Sequence, residues 1–291
     1  MNKLALGTAQ FGQHYGIANS SGLIKKKELA EVIEFARDNN VDMLDTAVLY
    51  GKSEMLLGDA GVDDFKIISK LPSIPTNCNN ISLWIHQTVM CSLNNLGIST
   101  LYGLLLHNPE QLNKEEGELI YNSLVLLKKR GIIQKIGISL YDFEDIECLI
   151  SKYSLDIVQI PFNILDQRLI ATGWLDRLAE KKIEVHVRSV FLQGLLLMTN
   201  SSRPDKFNLW KNSVWDNYDN WLRKNNISSV QACLQFVLSF PKISRVIIGI
   251  DNLAHLKELL LFSQNNQFQY SKINFQSDDI MLINPSKWNN I

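Results

Sequence analysis

Eight short apolar runs recur along the chain, and most are followed by a longer stretch with helical periodicity. The runs are almost continuous and rich in β-branched residues, which is typical of strands that are buried on both faces of a sheet. They cover residues 4–9, 41–46, 65–71, 101–107, 135–140, 155–162, 183–189 and 245–250. We therefore predict eight buried strands in a parallel sheet.

Apolar residues spaced three and four positions apart predict helices between these runs. Residues 26–39 have one apolar face, and Ser228 and Gln231 have the spacing of a capping box at the start of another helix. Further helical patterns begin at Ser82 and cover roughly 114–130, 142–152, 168–181, 213–225 and 252–264. The alternation of strand and helix is thus predicted along most of the chain.

Eight strands that alternate with helices predict an α/β fold of the (β/α)8 TIM barrel type. No Pro- or Ser-rich linker divides the sequence, so we predict one domain over residues 1–291. The alternative is a doubly wound open sheet, which usually has a GxGxxG motif after its first strand. Here the first run leads into "GTAQFGQHYG", which does not match that motif.

Composition and charge narrow the class of protein. The 291 residues are 46% hydrophobic and 20% charged with a formal net charge of -1, which gives no bulk attraction to nucleic acid or an anionic membrane. The four cysteines are far apart, which indicates neither a disulfide framework nor a metal site. We predict a cytoplasmic protein without nucleic-acid, membrane or metal partners, either a monomer or a weak oligomer.

Polar side chains follow three successive predicted strands. Asp45 ends the second strand, Lys70 lies near the end of the third, His107 ends the fourth, and Tyr50 follows Asp45 by five residues. Alone, each has an ordinary structural explanation: a turn cap, a lysine in solvent, a core histidine and a packed loop aromatic. In a TIM barrel these strand ends converge on one mouth, and a charge in an apolar strand is costly unless paired. Their joint placement predicts an active site in which Asp45 pairs with Lys70.

These four side chains suit chemistry on a carbonyl group. A free tyrosine is a weak acid, with a pKa of about 10, and a nearby ammonium stabilises its phenolate. Lys70 can supply that charge, Asp45 can hold it, and His107 can orient a carbonyl oxygen. None is an obvious nucleophile, so reduction needs a hydride from elsewhere, for which a nicotinamide cofactor is the usual source.

The same stretches resemble the aldo-keto reductase superfamily over nearly the whole chain. The matching segments with the four candidate residues are "LDTAVLYGKSEMLLG" (44–58), "ISKL" (68–71) and "LYGLLLHNPEQL" (101–112). The resemblance implies a (β/α)8 barrel and NAD(P)H-dependent reduction of an aldehyde or ketone. It also implies that Tyr50 is the general acid, Lys70 and Asp45 its tuning pair, and His107 the substrate-orienting residue.

The resemblance implies a set of cofactor contacts as well. Those assigned to the nicotinamide are Ser139, Gln159 and Arg188; to the diphosphate, Ser189, Phe191, Gln193 and Gly194; and to the adenosine end, Gly249, Asp251 and His255. Arg188 stands where many members have a stacking tyrosine. We predict NADP as the cofactor, with NAD as the alternative because the charge of Asp251 would repel a 2′-phosphate.

The sequence restricts the substrate to a small molecule with a carbonyl group. "GTAQFGQHYGIAN" and "RSVFLQGLL" resemble a bacterial subgroup associated with surface polysaccharides, which favours a sugar-derived carbonyl. Trp210, Trp215, Tyr218 and Trp221 could line a sugar-stacking pocket, or they could pack a helix onto the barrel. Two other functions stay open: a redox sensor that binds the same cofactor, and a lyase or aldolase with Lys70 as a Schiff base.

Overall fold

Eight parallel strands form a closed barrel in sequence order in this computed structural model, which describes residues 2–19, 22–264 and 275–290. The strands are β1 (Leu4–Gly7), β2 (Met43–Asp45), β3 (Lys66–Leu71), β4 (Leu101–Leu106), β5 (Ile133–Ser139), β6 (Ile157–Pro161), β7 (Glu184–Arg188) and β8 (Arg245–Gly249). Each overlaps its predicted run, and β8 pairs with β1 to close the barrel. The predicted (β/α)8 fold is confirmed, and the open-sheet alternative is wrong.

Helices surround the barrel. They are α1 (Ala9–Gly12), α2 (Lys26–Asp38), α3 (Ser53–Ala60), α4 (Ile81–Leu96), α5 (Gly117–Lys129), α6 (Ile146–Lys152), α7 (Arg168–Ala171), α8 (Trp174–Glu180), α9 (Asp216–Asn225), α10 (Ser229–Leu238), α11 (Leu253–Gln264) and α12 (Ile280–Ile283). As predicted, the Ser228 side chain caps α10 by accepting a hydrogen bond from Gln231 N. None of the helices in the described ranges combines the length and the apolar character that a membrane-spanning helix needs.

The structure differs from the predicted helices in several places, and it includes the short helices α1 and α12, which were not predicted. The helix predicted over 168–181 is interrupted at Gly173, whose φ of 74° is a left-handed conformation that favours glycine. In the region predicted as a helix over 213–225, the α-helix α9 begins only at Asp216, after a π-helical turn over Lys211–Trp215. Helix α3 has no predicted counterpart, because its buried face includes the polar Ser53 and Glu54 and therefore lacks a simple apolar periodicity.

The barrel interior contains a small apolar layer separate from the larger core between strands and helices. Its buried members are Ala5, Met43, Ile68, Leu105, Ile157 and Ile247. Alternate residues of a strand face the same side, so a position two residues further on returns to the barrel interior. Asp45, Lys70, His107, Gln159 and Gly249 each lie two residues beyond a member of this layer. The side chains at these strand ends therefore face the interior of the barrel at its mouth.

A polar network lies inside the opposite end of the barrel. The Glu184 carboxylate accepts a hydrogen bond of 2.8 Å from the Tyr102 hydroxyl, pairs with Lys135 Nζ, and lies 3.1 Å from His186 Nε2. Burial alone would raise the pKa of Glu184, but the hydrogen bonds from His186, Lys135 and Tyr102 lower it to about 2. The ionised carboxylate therefore stabilises this end of the fold.

Glu184→Gln should lower the free energy of unfolding at pH 7 by about 1.5–3 kcal/mol, the usual contribution of a hydrogen bond to a charged group. The pKa falls from 4.5 to about 2 on folding, so this stabilisation is present above pH 4.5 and disappears as the pH drops toward 2. Denaturant unfolding of wild type and variant across pH 2–8 measures the difference. Glu180→Gln, an exposed change on α8, is the control, and a pH-independent effect of Glu184→Gln would contradict this account.

Candidate active site

Lys70 and Asp45 form a buried ion pair at the mouth of the barrel. Lys70 is 1% exposed and Asp45 is 3% exposed. The Lys70 ammonium donates to Asp45 Oδ1 in a short contact and to the carbonyl oxygen of Thr46 at 3.0 Å, and it lies 3.3 Å from the Tyr50 hydroxyl. The structure therefore brings three of the four candidate residues into direct contact around one positive charge.

The second oxygen of Asp45 is held by the barrel interior. Gln159 Nε2 donates to Asp45 Oδ2 at 2.7 Å, and the Ser139 hydroxyl donates to Gln159 Oε1 at 3.3 Å. Both Ser139 and Gln159 are buried. These two residues, predicted to contact a cofactor, thus support Asp45 through protein hydrogen bonds, and their contact with a cofactor stays a prediction.

The environment of Lys70 keeps it protonated. Burial alone would lower the pKa of this ammonium, but the charge of Asp45 and the Tyr50 hydroxyl outweigh burial and raise it. Each of its three N–H donors has an oxygen within reach on Asp45, Thr46 or Tyr50. The site therefore contains a fixed positive charge beside a phenol.

His107 faces the same space as Tyr50. The two rings meet edge-to-face, with 6.0 Å between their centroids and an interplanar angle of 83°. Burial, followed by the charges of Lys70 and Arg188, lowers the pKa of His107 to about 4. Its buried Nδ1 has no hydrogen-bond partner among the residues that the structure describes. The imidazole is therefore neutral near pH 7 and carries an unused polar atom.

The Tyr50 loop is held against the segment that follows β1. A Cβ atom on Gly12 would overlap with the carbonyl oxygen of Tyr50, and one on Gly51, whose φ is 58°, would overlap with the carbonyl oxygen of Gly12. The Ser53 hydroxyl adds a hydrogen bond of 2.8 Å to Thr8 Oγ1. Two glycines and a buried hydroxyl pair thus fix the loop from which Tyr50 projects.

A groove of about 1120 Å³, which includes open solvent at its mouth, extends outward from Tyr50 and Asp45. Its floor lies over the ends of β1 and β8, because Gly7 pairs with Asp45 on one side and with Gly249 on the other. The other predicted cofactor residues that line it are Arg188, Ser189, Phe191, Gln193, Gly194, Asp251 and His255. Eight of the ten predicted cofactor residues therefore share one groove, and Ser139 and Gln159 are outside its lining.

Glycines and an unpaired polar atom make the groove suitable for an extended polar ligand. A Cβ on Gly249 would lie 2.5 Å from Gln10 Nε2, so a side chain there would have to displace the Gln10 amide, whereas glycine leaves the backbone of the floor open. At the far end, the buried Oδ1 of Asp251 has no hydrogen-bond partner within the described part of the chain. A nicotinamide dinucleotide suits such a surface. Its phosphates bind where the protein backbone can approach them closely, and its ribose hydroxyls need hydrogen-bond acceptors.

Two loops meet across this groove. Ile17 N donates to the Gln193 carbonyl oxygen at 3.0 Å, and Gln193 Nε2 lies 3.5 Å from the Tyr15 hydroxyl. Gly194 has a φ of 90°, and a Cβ there would lie 2.5 Å from Ala18 Cβ. Burial raises the pKa of Tyr15 to about 12, so this hydroxyl stays neutral. The segment after β1 therefore forms one wall of the groove, a role that our sequence analysis missed.

Arg188 lies near the Tyr50 end of the groove. Its guanidinium packs 4.0 Å above the Tyr141 ring and donates to the Leu140 carbonyl oxygen at 2.8 Å and to Ser189 Oγ at 3.2 Å. The resemblance assigns it to the nicotinamide, at a position where many family members have a stacking tyrosine. The structure shows it stacked on a tyrosine of the protein, so its contact with a cofactor stays a prediction.

Residues 3–276 match the family model described as the aldo/keto reductase family. The chain belongs to this family. It is therefore an NAD(P)H-dependent oxidoreductase, as the resemblance implied, and members of the family act on small-molecule carbonyl substrates.

Three proteins that this chain resembles share 18–24% of its residues. The chain is 24% identical over 278 residues to an uncharacterized oxidoreductase of Bacillus subtilis strain 168, a match that covers 89% of this chain and 90% of that protein. Among solved structures, the holo form of an aldo-keto reductase from Bacillus halodurans gives a TM-score of 0.71 at 18% identity, covering 92% of this chain and 88% of that one. A putative aldo-keto reductase from Pseudomonas aeruginosa gives 0.66 at 21% identity, covering 90% and 89%. These structures support the fold.

The low pKa of His107 can be tested directly in this aldo-keto reductase. We expect its ring resonances to titrate with a midpoint near pH 4 and to stay constant between pH 5 and 8, because burial and two cations disfavour the imidazolium. NMR titration of the ring protons, assigned with a His107→Gln variant, gives the midpoint. A midpoint at about 6 or above, close to that of an ordinary histidine, would contradict the described environment.

Proposed function

We propose that this aldo-keto reductase converts the carbonyl group of a small aldehyde or ketone to an alcohol, with Tyr50 as the proton donor. The observation that carries the proposal is the buried Lys70 ammonium, held between Asp45 and the Tyr50 hydroxyl at 3.3 Å from the latter. The reduced nicotinamide, when bound, supplies the hydride for the carbonyl carbon. What this chain must then provide is orientation, a proton and stabilisation of charge.

Tyr50 gives its proton to the carbonyl oxygen of the substrate as negative charge develops there. The phenolate that remains is stabilised by Lys70, which is already charged and fixed by Asp45 and Thr46. Such a positioned acid contributes on the order of 10²–10⁴-fold to a rate. Because Lys70 is buried, its charge is screened little by water and acts strongly on the neighbouring oxygen.

Asp45 serves this chemistry indirectly. It keeps Lys70 protonated, and its second oxygen is fixed by Gln159 at 2.7 Å. A buried carboxylate that lost either partner would keep an uncompensated desolvation cost. We therefore propose Asp45 as a positioning residue and Gln159 as its support.

His107 orients the substrate in this proposal. A neutral imidazole has one N–H donor and one acceptor, and the pKa of about 4 keeps His107 in that form near neutral pH. It shares an edge-to-face contact with Tyr50, so a carbonyl oxygen that meets the tyrosine hydroxyl also lies close to the imidazole. A second hydrogen bond there would fix the carbonyl for proton transfer.

The lyase alternative is disfavoured by the state of Lys70. A Schiff-base lysine must lose its proton to attack a carbonyl carbon, and enzymes achieve this by lowering its pKa. Here Asp45 and Tyr50 raise that pKa despite the burial, and all three N–H groups are directed at oxygens. The redox-sensor alternative differs from the proposal in turnover, which the experiment below measures.

We retain a sugar-derived carbonyl as the proposed substrate class and NAD(P) as the cofactor, on the sequence resemblance to a polysaccharide-associated subgroup. The aromatic residues after β7 add no support. Trp210, Trp215 and Tyr218 are buried, and Trp221 packs on Phe275 with 5.5 Å between ring centroids. Trp210 and Trp215 contact Phe207, and Tyr218 packs on Phe275 as well, so these aromatics pack the outer segments together, as in the simpler of our two interpretations.

Tyr50→Phe should lower kcat for reduction of an aldehyde substrate by at least about 10²-fold, because the variant has no proton to give. The dissociation constant of the reduced cofactor should change less than about twofold, since Lys70 and Asp45 keep their places. Absorbance at the nicotinamide band measures turnover, and fluorescence titration measures cofactor binding.

Tyr121→Phe is the matched control, because it removes another tyrosine hydroxyl, one bonded to the Ser154 carbonyl oxygen on the outer surface. It should leave kcat unchanged. If Tyr50→Phe kept most of its activity, Tyr50 would not be the acid. If wild type bound the cofactor but reduced no carbonyl in a screen of aldehydes and sugar carbonyls, the sensor alternative would replace the enzyme.

A further inference from the structure

We propose that Asp251 makes this site select NADH over NADPH, by accepting a hydrogen bond from the 2′-hydroxyl of the adenosine ribose. The inference rests on the proposed function, in which the groove holds a nicotinamide dinucleotide with its reactive ring beside Tyr50. It assigns the preference that the sequence left between NADP and NAD, and it reverses our first choice.

The geometry of the barrel fixes which end of the ligand meets Asp251. Asp45, Gly7 and Gly249 are paired neighbours across β2, β1 and β8, so the groove floor runs from the Tyr50 site over two further strands. Asp251 follows Gly249 by two residues, and His255 and Glu258 on α11 also line the groove. A dinucleotide whose nicotinamide lies at Tyr50 therefore places its adenosine end against this acidic edge.

The charges at that edge oppose a 2′-phosphate. Asp251 and Glu258 both line the groove there. Among the lysines and arginines of the described residues, Arg188 alone lines the groove, and it lies at the other end, stacked on Tyr141. Lys257, although on α11, points away, with Nζ 5.3 Å from the centre of the Phe35 ring on α2. A phosphate would thus meet two carboxylates without a lysine or arginine partner.

Asp251 has a vacant hydrogen-bonding position that suits a hydroxyl. Its Oδ2 lies 3.6 Å from His255 Nδ1, while its buried Oδ1 has no partner in the described ranges. The side chain is 21% exposed, so the carboxylate can accept a hydrogen bond from the 2′-hydroxyl of NADH. The ionised phosphate of NADPH has no proton to donate and would place a like charge beside it.

The N-terminus of α11 offers some compensation, because its backbone N–H groups attract anions. The Asn252 side chain already accepts the His255 N–H at 2.9 Å, which removes one of those donors. A helix end is equivalent to roughly half a positive charge, compared with a full negative charge on each of Asp251 and Glu258. The net effect of this edge is therefore repulsion of a phosphate.

The experiment is a fluorescence titration of the wild-type enzyme with NADH and with NADPH at low salt, without substrate. We expect the Kd of NADPH to exceed that of NADH by at least about tenfold, equivalent to about 1.4 kcal/mol. The difference should shrink at high salt, because part of it is repulsion between partly exposed charges. Asp251→Asn, which keeps the size and removes the charge, should reduce the ratio by about fivefold or more.

Asp63→Asn is the matched control, since it removes the same charge from an exposed position before β3, at the opposite end of the barrel. It should leave the ratio of the two Kd values unchanged. Equal or tighter binding of NADPH by wild type would overturn the inference while leaving the proposed reductase intact. An unchanged ratio in a folded Asp251→Asn variant would overturn the assignment to Asp251. Binding of neither cofactor would refute both the inference and the proposed function.

Discussion

The buried pair of Lys70 and Asp45 is the constraint on which the site depends. Two opposite charges, 1% and 3% exposed, lie inside an apolar barrel where each alone would be strongly unfavourable. They are tolerated because their other polar atoms are hydrogen-bonded. The Thr46 carbonyl oxygen and the Tyr50 hydroxyl accept hydrogen bonds from the ammonium, and Gln159 donates to the second carboxylate oxygen of Asp45. The same contacts that make the pair stable also place a fixed cation against a tyrosine hydroxyl.

The barrel places these groups with the simple geometry of a strand. Side chains alternate, so the residue two beyond an interior Met43, Ile68 or Leu105 must also face inward. Eight apolar runs that alternate with helices, and polar residues at the ends of successive runs, were enough to predict the fold and the pairing of Asp45 with Lys70. These predictions succeed because an apolar run and the residue at its end are local properties of the sequence.

Contacts between segments that are distant in the sequence could not be predicted from such patterns. Gly12 lies close to Gly51, and Ile17 N donates a hydrogen bond to the Gln193 carbonyl oxygen. Both contacts join segments that are apart in the sequence, and no periodic pattern within one segment indicates what it packs against. The sequence shows the two glycines, but their structural role depends on which backbone atoms each of them contacts in the fold. Helix α3 was missed for a related reason: its buried Glu54 is stabilised by Ser69 on β3, at 2.7 Å, so a polar residue occupies a core position.

The most direct test of the account is a double-mutant cycle between Tyr50→Phe and Lys70→Met. The quantity measured is the single-turnover rate of hydride transfer from the reduced cofactor. If Lys70 acts by stabilising the charge left on Tyr50, it has nothing to stabilise once the hydroxyl is gone. The double variant should then be within about threefold of Tyr50→Phe alone, provided that thermal unfolding and cofactor titration show a folded, cofactor-binding protein. Losses that multiply would show that the lysine and the tyrosine act independently and would contradict the account.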